Sequence, residues 1–347
     1  MKNYDLRSIN LSLSSACNAD CIFCPEERGE RIKVKMMSPQ LVEKVVSEVA
    51  TDPELKTVVN FNCGENGEVF LNPQSINCLR IIKNKLPHCK IALNTNFSLF
   101  TKEKISTVLE EGLIDRIGCN IDGHDDYHYR SVKRLDFDTT FQNITDFLKI
   151  RHTLNSKVPL TIFSITYATY VTAIKRNLGV SPIKLGNSEV KIKDDFKEIR
   201  KTLKPLLVPK MDKLVHARFV EGWAERGQIN VTKLNYNKYC CPLIDRVKHE
   251  AWIAPDGTWY ACCRDSKNEL VIGNVATSTI GLLAKSKMRK ELITALEDKR
   301  FVGIGGPCST VICCQALYKS KILIVLSSIF KTDARLIKLA RAVKIMN

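Results

Sequence analysis

A chain of 347 residues is too long for a single small module, and it is long enough for one large α/β domain, or a main domain with a smaller one, around a substantial core. Its fourteen cysteines are the strongest compositional deviation, and its net charge of +16 invites a nucleic-acid reading. That reading weakens because residues 316–347 alone carry seven Lys/Arg against the single Asp333, and a solvated basic face accounts for much of the remaining excess.

The first twenty residues contain no uninterrupted apolar h-region and no small-residue cleavage site, so no secretory peptide or N-terminal anchor is expected. The expected setting is a reducing, cytoplasmic one, which favours metal thiolates over disulfides. The longest nearly apolar run, ILIVLSSIF at 322–330, is less than half of the roughly 20 residues that span a bilayer. No transmembrane span is expected.

Up to about residue 220, short apolar runs alternate with helix-patterned segments, as a parallel α/β fold requires. Strands are expected at 8–14 (SINLSLS), 56–63 (KTVVNFNC), 89–95 (CKIALNT), 115–121 (DRIGCNI), 158–166 (VPLTIFSIT) and 213–220 (KLVHARFV). The first intervening helix starts at SPQLVEKVVSEVA, where Ser38 caps, Pro39 suits the first turn, and Leu41, Val45, Val46 and Val49 form an apolar stripe. Six strand–helix units of this kind point to an open barrel or an open doubly wound sheet. In a parallel barrel the functional groups gather on the loops that follow the strands.

On the first of those loops stands CNADCIFC, which puts Cys17, Cys21 and Cys24 close enough to converge on one inorganic centre. A structural zinc site is normally closed by four protein ligands, and the nearest later cysteine is Cys63, at the end of another strand. Three thiolates on a four-iron cluster leave one iron free for a substrate or cofactor. After the second strand comes CGENGEVFLNP, after the third LNTNFS, and at the end of the fourth CNIDGHDDYHYR.

CNADCIFC resembles the cluster motif of the radical S-adenosylmethionine (SAM) superfamily, and the later motifs follow in that family's order across residues 8–220. The resemblance implies a partial (βα)6 TIM-like barrel over residues 1–227. It implies that Cys17, Cys21 and Cys24 hold a [4Fe–4S] cluster whose free iron chelates SAM, with Phe23 beside the adenine. Gly67 and Glu68 match the Gly-Gly-Glu region, whose carboxylate receives the methionine ammonium of SAM. Proline and the first glycine of that region are replaced by Val69 and Asn66. Phe97 replaces the glycine of a Thr-Asn-Gly turn, and Asn120 and Asp122 fall where ribose or substrate hydroxyls are held.

Beyond residue 239 cysteine pairs, Gly and Trp become dense, in YCCPLIDRVKHEAWIAPDGTWYACCRD and, later, GPCSTVICC. Fifteen residues separate Cys241 from Gly257, and four separate Gly257 from Cys262, a spacing that resembles the opening of the SPASM/twitch extension of radical SAM enzymes. APDGTWYACC reads as a hairpin with an Asp-Gly turn that presents Cys262 on a strand. The resemblance implies a small auxiliary-cluster domain over 228–315. A second [4Fe–4S] cluster is assigned to Cys241, Cys262, Cys308 and one of Cys313 or Cys314, with Cys240 and Cys263 as neighbours or alternates. Core packing is the expectation for Cys63, Cys78, Cys89 and Cys119.

Residues 316–347 are expected to end in a basic amphipathic helix, with Leu336, Leu339, Val343 and Met346 on one side. It suits peripheral membrane contact or docking on the protein. The function expected from the resemblance is a radical SAM oxidoreductase-type enzyme. A reductant of flavodoxin or ferredoxin type would supply one electron, SAM would yield a 5′-deoxyadenosyl radical, and a small-molecule substrate (a sugar, aminocyclitol or other metabolite) would lose hydrogen. With the first strand expected near residue 8, no leader-peptide recognition domain is expected before it, which favours a small metabolite over a peptide. The alternatives are a SPASM-type maturase of a ribosomal peptide and a non-enzymatic iron–sulfur electron carrier.

Overall fold

The computed structural model describes residues 5–21, 24, 34–123, 125–166, 196–218, 241, 243–265 and 268–309. Phe23, Cys240, Cys313, Cys314 and the basic segment 316–347 lie outside the described residues.

Six parallel strands lie side by side in chain order: β1 (Ser8–Leu11), β2 (Asn60–Cys63), β3 (Lys90–Asn94), β4 (Arg116–Asn120), β5 (Leu160–Thr166) and β6 (Lys213–Arg218). All six overlap the expected strands. Between them run α1 (Pro39–Thr51), α2 (Ser75–Lys85), α3 (Lys102–Glu110), α4 (Asp126–Lys133), α5 (Phe137–Thr153) and α6 (Phe196–Leu203). The parallel-rich α/β architecture is that of a partial TIM-like barrel. Helix α1 starts as its sequence dictates: the Ser38 hydroxyl accepts the Leu41 N–H at 3.2 Å, Pro39 occupies the first turn, and Val42, Val45, Val46 and Val49 are buried.

The period of two along each strand separates two faces. Ile9, Leu11, Phe61, Cys63, Ile91, Leu93, Ile117, Cys119, Leu160 and Ile162 belong to one buried apolar cluster with the helix residues. The other face is polar. In register across the sheet stand Asn10, Asn62, Ala92 and Arg116. They are laced together: Asn62 Nδ2 donates to Asn10 Oδ1 at 2.8 Å, and Arg116 donates to Asn62 Oδ1 at 3.0 Å. A sheet packed with hydrophobic layers on both sides would read as a continuous apolar run; alternation in a parallel sheet marks a polar interior.

The cysteine-rich segment does not build a sheet of its own. After α7 (Ile244–His249), strand β7 (Glu250–Ile253) pairs parallel with β1, and β8 (Thr258–Tyr260) and β9 (Val271–Asn274) follow antiparallel. The order is β6-β5-β4-β3-β2-β1-β7-β8-β9. The Asp-Gly turn forms as expected, with Gly257 at φ +86° and its N–H on the Ala254 carbonyl at 2.9 Å. One expectation is corrected: β8 ends at Tyr260, so Cys262 lies in the turn beyond the strand, where its carbonyl accepts the Asp265 N–H at 2.9 Å. Helices α8 (Ile280–Ala284), α9 (Lys287–Glu297) and α10 (Phe301–Ile304) close the described part. No helix among the described residues is long and apolar enough to cross a membrane.

Candidate metal and cofactor site

The loop after β1 is pinned on both sides before it reaches its cysteines. Ser14 forms an isolated bridge with Met36, its hydroxyl accepts the Ala16 N–H at 3.0 Å, and the Ala16 carbonyl accepts the Glu68 N–H at 2.7 Å. Cys17, Cys21 and Cys24 are half-buried cysteines. The Cys24 N–H donates to the Cys21 carbonyl at 3.0 Å, which curls the loop so that the two residues share one turn. Burial raises the Cys17 thiol above its ordinary value, opposed by a backbone hydrogen bond and, among the charges, by Lys133.

Gly67 lets the second loop lie against the first. Its φ is +82°, and a Cβ there would sit 2.4 Å from the Ser14 oxygen and 2.5 Å from the Ala16 oxygen. The glycine is therefore spent on contact between two stretches of protein. Gly67→Ala is expected to destabilise the fold by about 2 kcal/mol or more, from left-handed strain and overpacking together, read as a lower midpoint in thermal unfolding. An unchanged midpoint would show that the two loops separate at little cost.

Glu68 is 1% exposed. Its Oε1 accepts from Thr95 Oγ1 at 2.7 Å and from the Phe70 N–H at 3.2 Å, and its Oε2 accepts from the Asn96 N–H at 2.8 Å. Burial raises its pKa above the usual carboxylate range, and these hydrogen bonds hold the rise down. A carboxylate offers about four acceptor positions; the three donors orient Glu68 and leave room for one more.

The turn after β3 completes the wall. Asn96 Nδ2 donates to Asn18 Oδ1 at 2.9 Å and lies 3.9 Å from Cys17 Sγ, while Asn18 Nδ2 donates to Ser98 Oγ at 2.8 Å. Phe97 adopts φ +65°, the left-handed conformation that the glycine of the resembled turn would supply. Its fully buried ring packs edge-on to Phe100 at 5.5 Å and Phe147 at 5.9 Å, which offsets the strain of that conformation.

Asn120 ends β4, in register with Phe163 on β5 and half-buried. Asp122 forms a buried ion pair with Lys133 Nζ at 3.2 Å. Burial opposes the charged Lys133, yet Cys21, Asp122 and Tyr129 together hold its pKa well above the ordinary value. Burial also pushes up the Cys119 thiol and the Tyr129 phenol. Cys63, Cys78, Cys89 and Cys119 are all core residues, as expected.

In the second cysteine group, Cys262 and Cys308 are buried and Cys241 is half-buried against the same apolar cluster. Arg246 stacks over Trp252 at 4.5 Å, pairs with Glu250 at 3.0 Å and donates to Cys263 Sγ at 3.5 Å. Among the described residues no three His, Cys, Asp or Glu side chains converge tightly enough for a single metal ion. A four-iron cluster does not need such convergence, because each thiolate binds its own iron. Three half-buried thiols on one loop, beside an oriented carboxylate with an acceptor position to spare, fit such a cluster and the ammonium of SAM.

Residues 11–167 match the model of the Radical SAM superfamily. This stretch is a radical SAM domain. The radical SAM family is enzymatic and uses a [4Fe–4S] cluster and SAM. Two relatives, both named "Probable GTP 3′,8-cyclase", come from Methanococcus aeolicus, 28% identical over 134 residues, and Methanococcus maripaludis, 27% over 127. The matches span 38% and 37% of this chain and about two fifths of the relatives' own length, 42% and 40%. Among solved structures, BtrN in complex with AdoMet and 2-DOIA superposes with a TM-score of 0.52 at 13% identity, over 90% of this chain and 93% of that one. Streptococcus suis SuiB bound to precursor peptide SuiA gives 0.54 at 12% identity, over 84% and 68%. At such identities these two likenesses concern the fold.

Thr95, Asn96, Asn18 and Lys133 lie on the cysteine loop or contact it or Glu68, and reading the sequence did not single them out. Asn18 lies inside CNADCIFC and Thr95 and Asn96 inside LNTNFS, so the signal was a motif read at other positions. Lys133 carried no local signal, since a lysine in the last turn of a helix ordinarily points to water.

Proposed function

We propose that the protein is a radical SAM oxidoreductase that removes hydrogen from a small-molecule substrate, a sugar, aminocyclitol or other metabolite. The observation that carries the reading is the convergence of the Cys17–Cys24 loop, Glu68 and the Thr95–Asn96 turn through short hydrogen bonds. A cluster and SAM bound there would supply a 5′-deoxyadenosyl radical able to take hydrogen from an unactivated carbon. Cys17, Cys21 and Cys24 would hold three irons, and Glu68 would accept the methionine ammonium through a charge-assisted hydrogen bond. The polar network of Asn10, Asn62 and Arg116 makes that face of the sheet hydrophilic, which suits a hydroxylated ligand more than an apolar one.

Net oxidation requires an electron acceptor, and the second cysteine group is assigned that part: Cys241, Cys262 and Cys308, with Cys313 or Cys314, would hold a closed [4Fe–4S] cluster. β7 pairs directly with β1, so that group is tied to the strand that leads into the first cysteine loop. An external one-electron reductant is the required partner. The likeness to the cyclases covers 38% of the chain and supports SAM chemistry without selecting a nucleotide substrate. The SuiB likeness keeps a peptide-modifying maturase as the second reading.

Anaerobic reconstitution with iron and sulfide, then dithionite and SAM, is expected to yield 5′-deoxyadenosine, and the Cys17→Ala, Cys21→Ala, Cys24→Ala triple variant to yield none. Product undiminished in the triple variant would overturn the reading. Iron at about eight atoms per chain accords with two four-iron clusters, and about four removes the auxiliary one.

A further inference from the structure

Among the described residues three basic side chains are buried: Lys133, Arg151 and Arg289. Arg151 clamps Asp212, and Arg289 caps the carbonyls of Ala284, Val247 and Lys248. Lys133 lies at the cysteine loop. Its carbonyl accepts the Asp20 N–H at 2.9 Å, one residue before Cys21, so the last turn of α4 is fastened to the loop by its backbone. Its ammonium, 6% exposed, pairs at 3.2 Å with the fully buried Asp122 carboxylate. The turn between them is tight: a Cβ on Gly123 would lie 2.3 Å from the Tyr129 nitrogen. Burying a lysine and an aspartate costs more than an exposed pair would, and an apolar contact would fasten the loop equally well. A charge at this place asks for a charged neighbour.

We propose that Lys133, held in place by Asp122, is a positioning residue that stabilises the reduced state of the iron–sulfur cluster on Cys17, Cys21 and Cys24. The inference rests on the proposed role of those cysteines. Adding one electron makes the cluster and its thiolates one charge more negative, and a fixed ammonium in a poorly screened interior favours that state. Cys17 and Cys21 both lie within its electrostatic reach. Asp122 acts with the opposite sign, so the two partners should move the potential in opposite directions. A purely structural pair would not behave so, since breaking it from either side loosens the same loop.

The test is a redox titration of the full reconstituted chain followed by electron paramagnetic resonance, using the signal that changes on adding SAM. At the wild-type midpoint, Lys133→Met should lower the ratio of reduced to oxidised cluster about tenfold, a shift of about 59 mV to more negative potential for one electron. Asp122→Asn should shift the midpoint the other way, and Lys133→Arg should stay near wild type. Shifts of the same sign in K133M and D122N, or no shift in either at wild-type iron content, overturn the inference. If K133M does not fold, the sign of the D122N shift decides alone. A wild-type chain without a SAM-responsive signal overturns the cluster reading and this inference together; a normal wild-type signal with unmoved variants overturns this inference alone.

Discussion

Glu68→Gln is expected to weaken SAM binding by about tenfold to a hundredfold, measured by calorimetry on the reconstituted protein. A hydrogen bond to a charged group contributes about 1.5–3 kcal/mol, and each 1.4 kcal/mol is a factor of ten. Glutamine keeps the shape but replaces one acceptor oxygen with an NH2 group, which would face either the methionine ammonium or the Asn96 N–H that donates to Oε2. The pH dependence has a definite sign. Burial raises the Glu68 carboxyl, so its charged form is lost on acidification at a higher pH than an ordinary glutamate would need. Wild-type SAM affinity should fall as pH drops through that raised value, and the E68Q variant should lack this limb. An affinity unchanged within twofold would remove Glu68 from the ammonium site.

The second large effect is on stability. Arg151 at the end of α5 grips Asp212 with two nitrogens, at 2.6 and 2.7 Å, and both side chains are buried. Asp212 also accepts the Leu160 and Val208 N–H groups at 2.9 and 2.8 Å. One carboxylate thus joins the start of β5 to the approach to β6. Asp212→Ala strands a buried guanidinium and two donors, and it should cost about 3–5 kcal/mol in denaturant unfolding. Burial opposes the charged carboxylate, but the Arg151 and backbone hydrogen bonds outweigh it and lower the pKa. A lowered carboxylate stabilises above its unfolded-state pKa and loses that contribution as pH falls through the folded one. The gap between wild type and D212A should therefore be full at pH 7 and shrink below about pH 4. A gap under 1 kcal/mol at pH 7 would mean that Arg151 finds water or another acceptor.

Much of the architecture was legible in the chain because parallel α/β units write themselves locally. Val42, Val45, Val46 and Val49 carry the helical period behind a Ser-Pro start, and each of the six expected strand segments contains one of β1 to β6. The three-cysteine motif was legible for a similar reason: its members stand on one short loop and are close in sequence. The Asp-Gly hairpin obeys the same local logic, although the strand leaving it stops two residues before Cys262.

Pairings between distant segments were not legible. Nothing local in EAWI says that β7 will add in parallel beside β1, because the hydrogen bonds of a strand edge are the same for any partner. Phe97 looked incompatible with a glycine turn until the aromatic cluster of Phe100 and Phe147 supplied a reason for its left-handed backbone. Asp122 and Lys133, eleven positions apart, became a pair because Gly123 allows α4 to fold back closely.

The sequence alone determined the order of strands and helices, the loop that carries Cys17, Cys21 and Cys24, and the presence of Glu68 behind Gly67, since each depends on neighbours within one turn or one strand. Only the tertiary structure decided that Gly67 serves loop-to-loop packing, that Glu68 is oriented by Thr95 and Asn96, and that Asp122 faces a buried lysine. These are contacts between segments far apart in the chain, and their energies come from burial and close approach, which no local pattern records.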